Sequence, residues 1–314
     1  MPDNPPEPLV SVIIPTYNRA HLIADAVQSV LDQTYPNIEV IVVDDGSTDE
    51  TVKVLDRFGD AVTVLKQVNQ GVAAARNTGI KAVQGDYISF LDSDDMFVPE
   101  KIARQMETPP GKDALHFCRL ANVDLIEGSG IAKRMIGDNI NWITTDAQGN
   151  ALDQINDLAK GRYINVVGLL ARREVVERIG DFDPRFSAGE DEDWIFRGAL
   201  FCTIKLSPDA YVLRRMHDEQ TGLHRESSVQ SLIGVFGNMI RRARENGHPD
   251  AARAVHVRLA NNLSKLSTIR ANQRKPLIAA RTAFRAFLAD PRQFQRAVKA
   301  LWLLFGGKPA PASR

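Results

Sequence analysis

The chain has 314 residues, 39 Lys+Arg against 39 Asp+Glu, 44% apolar residues and two cysteines, which excludes a wholly disordered or collagen-like chain and describes one sizeable globular domain with a smaller appendage. No stretch approaches the ~18 consecutive apolar residues of a membrane span, the Pro-rich start lacks the regions of a secretion signal, and Cys118 and Cys202 stand alone, so a cytoplasmic location is expected and neither a disulfide framework nor a zinc site is. The neutral total conceals a split: residues 1–240 carry 23 Lys+Arg and 36 Asp+Glu, a net of -13, whereas residues 241–314 carry 16 against 3, a net of +13.

In chain order, residues 1–8 hold four prolines and read as a disordered lead-in. Val10 to Ile14 is a β-branched run ended by Pro15, the pattern of a buried strand. Leu22, Ile23, Ala26, Val27, Val30 and Leu31 then recur at helical spacing, and Ile38 to Val43 forms a second strand ending in Asp44-Asp45-Gly46-Ser47. The alternation continues with a helix over 51–58, a strand over 62–65, a helix over 72–83 and a strand over 87–91. This order predicts an α/β fold with a mostly parallel sheet flanked by helices, and ligands of such sheets bind beyond the carboxyl ends of the strands. Residues 108–165 read as extended segments and loops with a strand at 114–117. A strand at 164–171, a short helix at 174–179 and a helix at 191–201 follow. Beyond Gly222 the pattern is helical, with Leu232, Ile233, Phe236, Met239 and Ile240 as one stripe and Phe294, Val298, Leu301, Trp302 and Phe305 as the last.

Several acidic groups need a physical reason. Asp92, Asp94 and Asp95 fall within four residues at a predicted strand end, where their repulsion needs compensation. A hard divalent cation such as Mg2+ or Mn2+ would supply it; a solvated turn, with Asp95 capping the next helix, is the alternative. Asp45 either accepts a hydrogen bond from a nucleobase or belongs to a tight turn in which Ser47 or Thr48 caps a helix. Arg76 meets either a phosphate or the aspartates. Glu190-Asp191-Glu192-Asp193 exceeds what a helix dipole asks for, so one of these carboxylates can act as a general base. His217 is either a metal ligand or a packing residue.

Read together, Val10-Ser11-Val12-Ile13-Ile14-Pro15-Thr16-Tyr17-Asn18, Val42-Val43-Asp44-Asp45-Gly46-Ser47, Ala75-Arg76-Asn77, Phe90-Leu91-Asp92-Ser93-Asp94-Asp95 and Glu190-Asp191-x-Asp193 strongly resemble the family 2 glycosyltransferases of the GT-A fold, over about residues 9–217. The resemblance implies a GT-A domain over 9–222 and leaves a basic helical region over 223–314. It implies that Pro15, Thr16 and Tyr17 line the nucleotide pocket, that Asp45 bonds a uracil-type base, and that Arg76 lies near the nucleotide. Asp92-Ser93-Asp94 resembles the family's D-x-D motif, which would set Asp92 and Ser93 toward the sugar-nucleotide and Asp94 on the metal; the resemblance makes Asp95 a second metal candidate and likens His217 to a late histidine that completes the metal site in some members. Asp191 would be the catalytic base, with Asp193 in reserve. The implied chemistry is inverting transfer of a hexosyl or N-acetylhexosaminyl group from a nucleotide-sugar, with UDP as the expected carrier, to a hydroxyl of a glycan or lipid-linked glycan acceptor, with Mn2+ or Mg2+ as cofactor, in bacterial-type surface polysaccharide synthesis. The Q-x-x-R-W motif and membrane helices of the processive synthases of this family are absent from the sequence, so a single addition is expected.

The last stripe, with Arg292, Arg296 and Lys299 around it, suits either a helix lying peripherally on the anionic inner face of a membrane or one packed on the catalytic domain. Two other classes compete with the enzyme. A catalytically idle nucleotide-sugar-binding module would lose the base, yet Asp191 and Asp193 are both present. A nucleic-acid-binding protein would use the basic tail, but aromatic residues are sparse there and the acidic body repels phosphates, so no nucleic acid partner is expected.

Overall fold

A computed structural model of the chain describes residues 7–124, 135–136, 140–216 and 226–304. His217 and the Phe305 end of the last stripe lie outside the described residues, as do residues 1–6 of the expected disordered lead-in. Of that lead-in, Glu7 and Pro8 accept hydrogen bonds at their carbonyls from Asn37 Nδ2 and the Tyr35 hydroxyl.

Contacts divide the chain into two compact units: residues 1–154, 162–184 and 194–220, and residues 155–161, 185–193 and 221–314. The elements follow the order β1 (Val10–Thr16), α1 (Ile23–Leu31), β2 (Ile38–Asp44), α2 (Thr51–Leu55), β3 (Thr63–Lys66), α3 (Val72–Ala82), β4 (Tyr87–Phe90), β5 (Met96–Phe97), α4 (Lys101–Met106), β6 (Ala114–Asp124), β7 (Met135–Ile136), α5 (Gln154–Ala159), β8 (Leu169–Arg172), α6 (Arg173–Ile179), α7 (Glu190–Ala199), β9 (Thr203–Met216), α8 (Glu226–Glu245), α9 (Pro249–Asn272), α10 (Pro276–Ala289) and α11 (Gln295–Leu304).

In the first unit, the described strands form one sheet of order β3-β2-β1-β4-β8-β6-β9-β5, with β7 beside β6. The β1–β2, β1–β4 and β2–β3 pairs are parallel. The chain then reverses at β8, antiparallel to both β4 and β6, while β9 is parallel to β6. Six strands therefore run one way, and β5, β7 and β8 run against them. β1 is buried at every residue, as a strand between two neighbours and under helices must be, and this explains its unbroken apolar run. α1 buries Ile23, Ala26, Val27 and Val30, one face at helical spacing.

The sequence reading of β6 and β9 falls short because these strands are long and irregular. β6 runs to Asp124 rather than stopping at Phe117, and the β6–β9 register shifts between Phe117 and Leu120, a bulge that breaks the alternation by which strands are recognised. The helix that Asp95 would cap in the alternative reading does not follow it. Met96–Phe97 is an edge strand on β9, and α4 begins only at Lys101.

The second unit is helical. α8 buries Val235, Phe236, Met239 and Ile240, and α9 buries Leu263 and Leu266. Arg258 of α9 lies 4.5 Å over the Phe236 ring.

Candidate active site

The parallel register brings the carboxyl ends of β1, β2 and β4 to one edge of the sheet. Thr16 pairs with Asp44, the Asp45 amide donates to the Thr16 carbonyl at 2.9 Å, and the Leu91 amide donates to the Ile13 carbonyl at 3.0 Å. Pro15 and Thr16 are buried there, whereas Tyr17 is 44% exposed. The two loops beyond these ends are bonded to each other: the Asn18 amide donates to Ser47 Oγ at 2.9 Å and the Thr48 amide to Asn18 Oδ1 at 2.8 Å. Ser47 and Thr48 are thus engaged with the β1 loop, and neither caps α2, whose first turn is bonded instead by Asp49 Oδ1.

Asp45 is 3% exposed. Its Oδ1 accepts from Gln67 Nε2 at 2.7 Å and the Gln70 amide at 2.9 Å, and its Oδ2 accepts from the Gly71 amide at 2.8 Å. A carboxylate has about four acceptor positions, so one remains beside a loop already fixed in place. The geometry demands two glycines. Gly46 has φ +79°, and a Cβ there would meet the Asn69 amide nitrogen at 3.0 Å; Gly71, at φ +90°, turns its N–H onto Asp45 at the start of α3.

α3 delivers Arg76 and Asn77. Arg76 is buried, its Nη2 donates to Asp92 Oδ1 at 2.7 Å, and its guanidinium lies 5.4 Å from the centre of the Phe182 ring. The aspartate partner of the sequence reading is thus Asp92. Asn77 exchanges two hydrogen bonds with the backbone of Phe182, each 2.8 Å, which pins a residue 105 positions away. Phe182 in turn stacks on Trp194, 5.0 Å between centroids, and meets Phe90 edge-on at 5.5 Å. The motif's arginine and asparagine are thus both anchored on one aromatic cluster.

Just past β4, one carboxylate oxygen from each of Asp92, Asp94 and Asp95 lies within 4.8 Å of the others. Ser93 and Asp95 are buried, and Asp92 and Asp94 are partly exposed. Burial first, and then the Asp92 and Asp94 charges, hold the Asp95 carboxyl well above the usual carboxylate range. Three oxygen donors this close, one of them charged only at a penalty, fit a hard divalent cation.

A contributor that sequence reasoning missed is Arg215, near the end of β9. Its amide donates to Asp95 Oδ1 at 3.1 Å, and its buried guanidinium donates to Asp25 Oδ2 of α1 at 2.8 Å. Only the β5–β9 pairing brings this residue next to a motif 120 positions earlier, and no local pattern announces it.

The acidic run at α7 has separate partners. Asp193 is 1% exposed and accepts from Arg242 Nη1 of α8 at 2.7 Å; Glu192 pairs with Arg258 of α9. Asp191 is partly exposed in the first turn, where its Oδ1 accepts from the Glu192 amide at 2.8 Å, and Glu190 is buried. The excess of acids over what a helix dipole needs is therefore explained in part by two ion pairs. A cavity of about 680 Å³, lined by Arg104, His116, Lys205, Ser207 and Tyr211 among others, contains none of the predicted site residues.

Residues 11–114 match the sequence profile described as "Glycosyl transferase family 2". An uncharacterised glycosyltransferase of Rickettsia typhi is 30% identical over 224 residues, 70% of this chain and 68% of that protein. A putative teichuronic acid biosynthesis glycosyltransferase of Bacillus subtilis, TuaG, is 45% identical over 105 residues, 32% of this chain and 42% of that protein. Among solved structures, S. aureus TarS 1-349 in complex with UDP-GlcNAc superposes with a TM-score of 0.62 at 18% identity, covering 95% of this chain and 92% of that one, and so shares its fold. The mixed sheet with its ordered strand-end motifs, the profile match and the Rickettsia relative agree: the chain belongs to glycosyltransferase family 2 and has the GT-A fold.

Proposed function

We propose that this glycosyltransferase is metal-dependent and inverting, and that it moves a hexosyl or N-acetylhexosaminyl group from a UDP-sugar to a hydroxyl of a glycan or lipid-linked glycan, one sugar per acceptor, in bacterial-type surface polysaccharide synthesis. The observation that carries this reading is the meeting of the Asp92, Asp94 and Asp95 carboxylates beside Arg76 at the carboxyl end of β4. The UDP-GlcNAc complex of TarS supports the donor class, and the TuaG likeness supports the setting.

Asp94 and Asp95 would hold Mn2+ or Mg2+, with His217 as a further ligand, and the bound cation would neutralise charge on the departing nucleoside diphosphate. The chain's own residues divide the remaining work. Asp45 presents its last acceptor position to the base N–H, with Pro15, Thr16 and Tyr17 as the pocket wall. Arg76 holds Asp92 toward the sugar-nucleotide, and Ser93 sits between the two motif aspartates. Asp191 takes the proton from the acceptor hydroxyl as that oxygen attacks the anomeric carbon. Its partly exposed position in the first turn of α7 supports this choice. The helical second unit would hold the enzyme peripherally at an anionic membrane surface, where a lipid-linked acceptor is presented.

Screening nucleotide sugars for release of nucleoside diphosphate with Mn2+, Mg2+ or chelator tests the reading. Release that needs metal and is lost in Asp94→Asn is expected; release unaffected by chelator and by Asp94→Asn overturns it.

A further inference from the structure

α10 buries small residues and exposes large ones. Its inner face is Ala279, Ala280, Thr282, Ala283 and Ala286, whereas Leu277, Ile278, Phe284 and Leu288 are 50–71% exposed. α11 does the same: Ala300 and Leu303 join the alanine cluster beneath, while Val298, Leu301 and Trp302 are 47–56% exposed. Eight of the fourteen large apolar side chains exposed among the described residues fall between positions 277 and 302. Scattered exposed apolar residues are ordinary, but a contiguous set marks a surface that another apolar medium covers. Continuity is visible in an apolar groove of about 270 Å³ between the helices, lined by Leu277 and Phe284 from one and Leu301 from the other.

The opposite flank of α11 is polar and cationic. A cleft of about 360 Å³ between α9 and α11 is lined by Ser264, Lys265, Thr268, Arg296 and Lys299, with amide side chains at its rim and no acidic residue. Lys299 Nζ donates to Thr268 Oγ1 at 2.7 Å and to the Ser264 carbonyl at 3.2 Å, and Arg296 is buried, bonded to Asn261 Oδ1. Burial holds Lys299 and Arg296 below their usual ranges. Lys299 and Trp302 are three residues apart on one helix, so the cleft and the apolar ridge adjoin.

We propose that this cleft receives the phosphate of an anionic phospholipid headgroup while the α10–α11 ridge beside it enters the acyl layer of the same leaflet. The inference rests on the membrane reading above and adds to it a specific site. Charge decides the occupant. The ridge is interspersed with exposed Arg281 and Arg285 and belongs to a region of net charge +13, which complements an anionic surface and opposes docking on a second copy of itself. Lys265 and Lys299 supply the charged donors that a phosphate group needs, and Arg296 stands behind them, paired with the buried Asp290 carboxylate at 3.8 Å.

Flotation of the full chain with phosphatidylcholine vesicles, alone or mixed with phosphatidylglycerol, tests the site. The wild type should partition onto the mixed vesicles and be released by salt. Lys265→Gln with Lys299→Gln should weaken that partitioning by about fivefold per charge removed, Lys299→Arg should restore it, and Leu301→Asp with Trp302→Asp should lose vesicles of both kinds. Lys265 is exposed, so Lys265→Gln alone reads the loss of a single charge at the cleft, with its melting temperature measured alongside. If the double lysine variant floats like wild type while the ridge variant detaches, the headgroup site is wrong and the membrane reading stands. A wild type that floats with neither vesicle removes both, and a dimer broken by the ridge variant assigns the ridge to a second copy instead.

Discussion

Two acid-rich segments, Asp92–Asp95 and Glu190–Asp193, look alike in composition and differ in what surrounds them. At α7, Glu192 and Asp193 have cations of their own, Arg258 and Arg242. Past β4 the three aspartates lie against one another, with Arg76 bonded to Asp92 and the Arg215 backbone amide bonded to Asp95 Oδ1. Paired acids mark structure, and acids crowded on each other mark a place that a cation completes. Counting carboxylates cannot separate these cases, but the distances between them do.

The sharpest way to break the comparison is at Asp191. Asp191→Asn should lower transfer by about 10²–10⁴-fold with donor binding retained; near wild-type turnover, with Asp193→Asn inactive but stably folded, would move the base to the paired acid. Next in size is Asp94→Asn, which should weaken Mn2+ binding, read by calorimetry, by at least the ~10–100-fold typical of disturbing a metal's supporting groups. Asp193→Asn should instead act on folding, destabilising by about 1–3 kcal/mol in denaturant titration because it takes the anion from Arg242, with metal affinity unchanged.

The pH response should separate the two segments further. Between the ordinary carboxylate value and its raised folded value, Asp95 should keep a proton in the folded chain that the unfolded chain releases. The stability this proton carries is complete below the ordinary carboxylate value of about 3.9 and is lost as pH rises through the raised folded value. In chelator, Asp95→Asn should therefore melt above wild type at neutral pH, with the gap closing as pH falls toward that ordinary value. Mn2+ should raise the wild-type melting temperature at neutral pH and not in acid. The smallest expected effect is Arg76→Lys, which keeps a charge for Asp92 but gives up the flat contact with Phe182, about 0.5–2 kcal/mol, measured as thermal stability.

The strand-end site was legible in the sequence because its parts are local. β1, β2 and β4 are short, buried and apolar, their register is in phase, and each motif follows its strand directly. Asp45 was legible as a residue with a purpose but not as one already bonded to Gln67, Gln70 and Gly71, since those bonds depend on the path of a loop. Arg215 and Asp25 were not legible at all: they meet through a pairing of the last strand with a two-residue edge strand. The four acids of α7 carried a signal, and only the positions of α8 and α9 tell which of them are committed.

The alanine seam beneath α10 and α11 has a thermodynamic consequence. A buried methyl contributes on the order of 0.8 kcal/mol, far less than the branched side chains that fill β1, so this hairpin is held by little apolar area. Its amides should exchange with deuterium earlier than those of the sheet, through a local opening that leaves β1 closed. Such an opening would loosen α10 and α11 while the sheet stays closed.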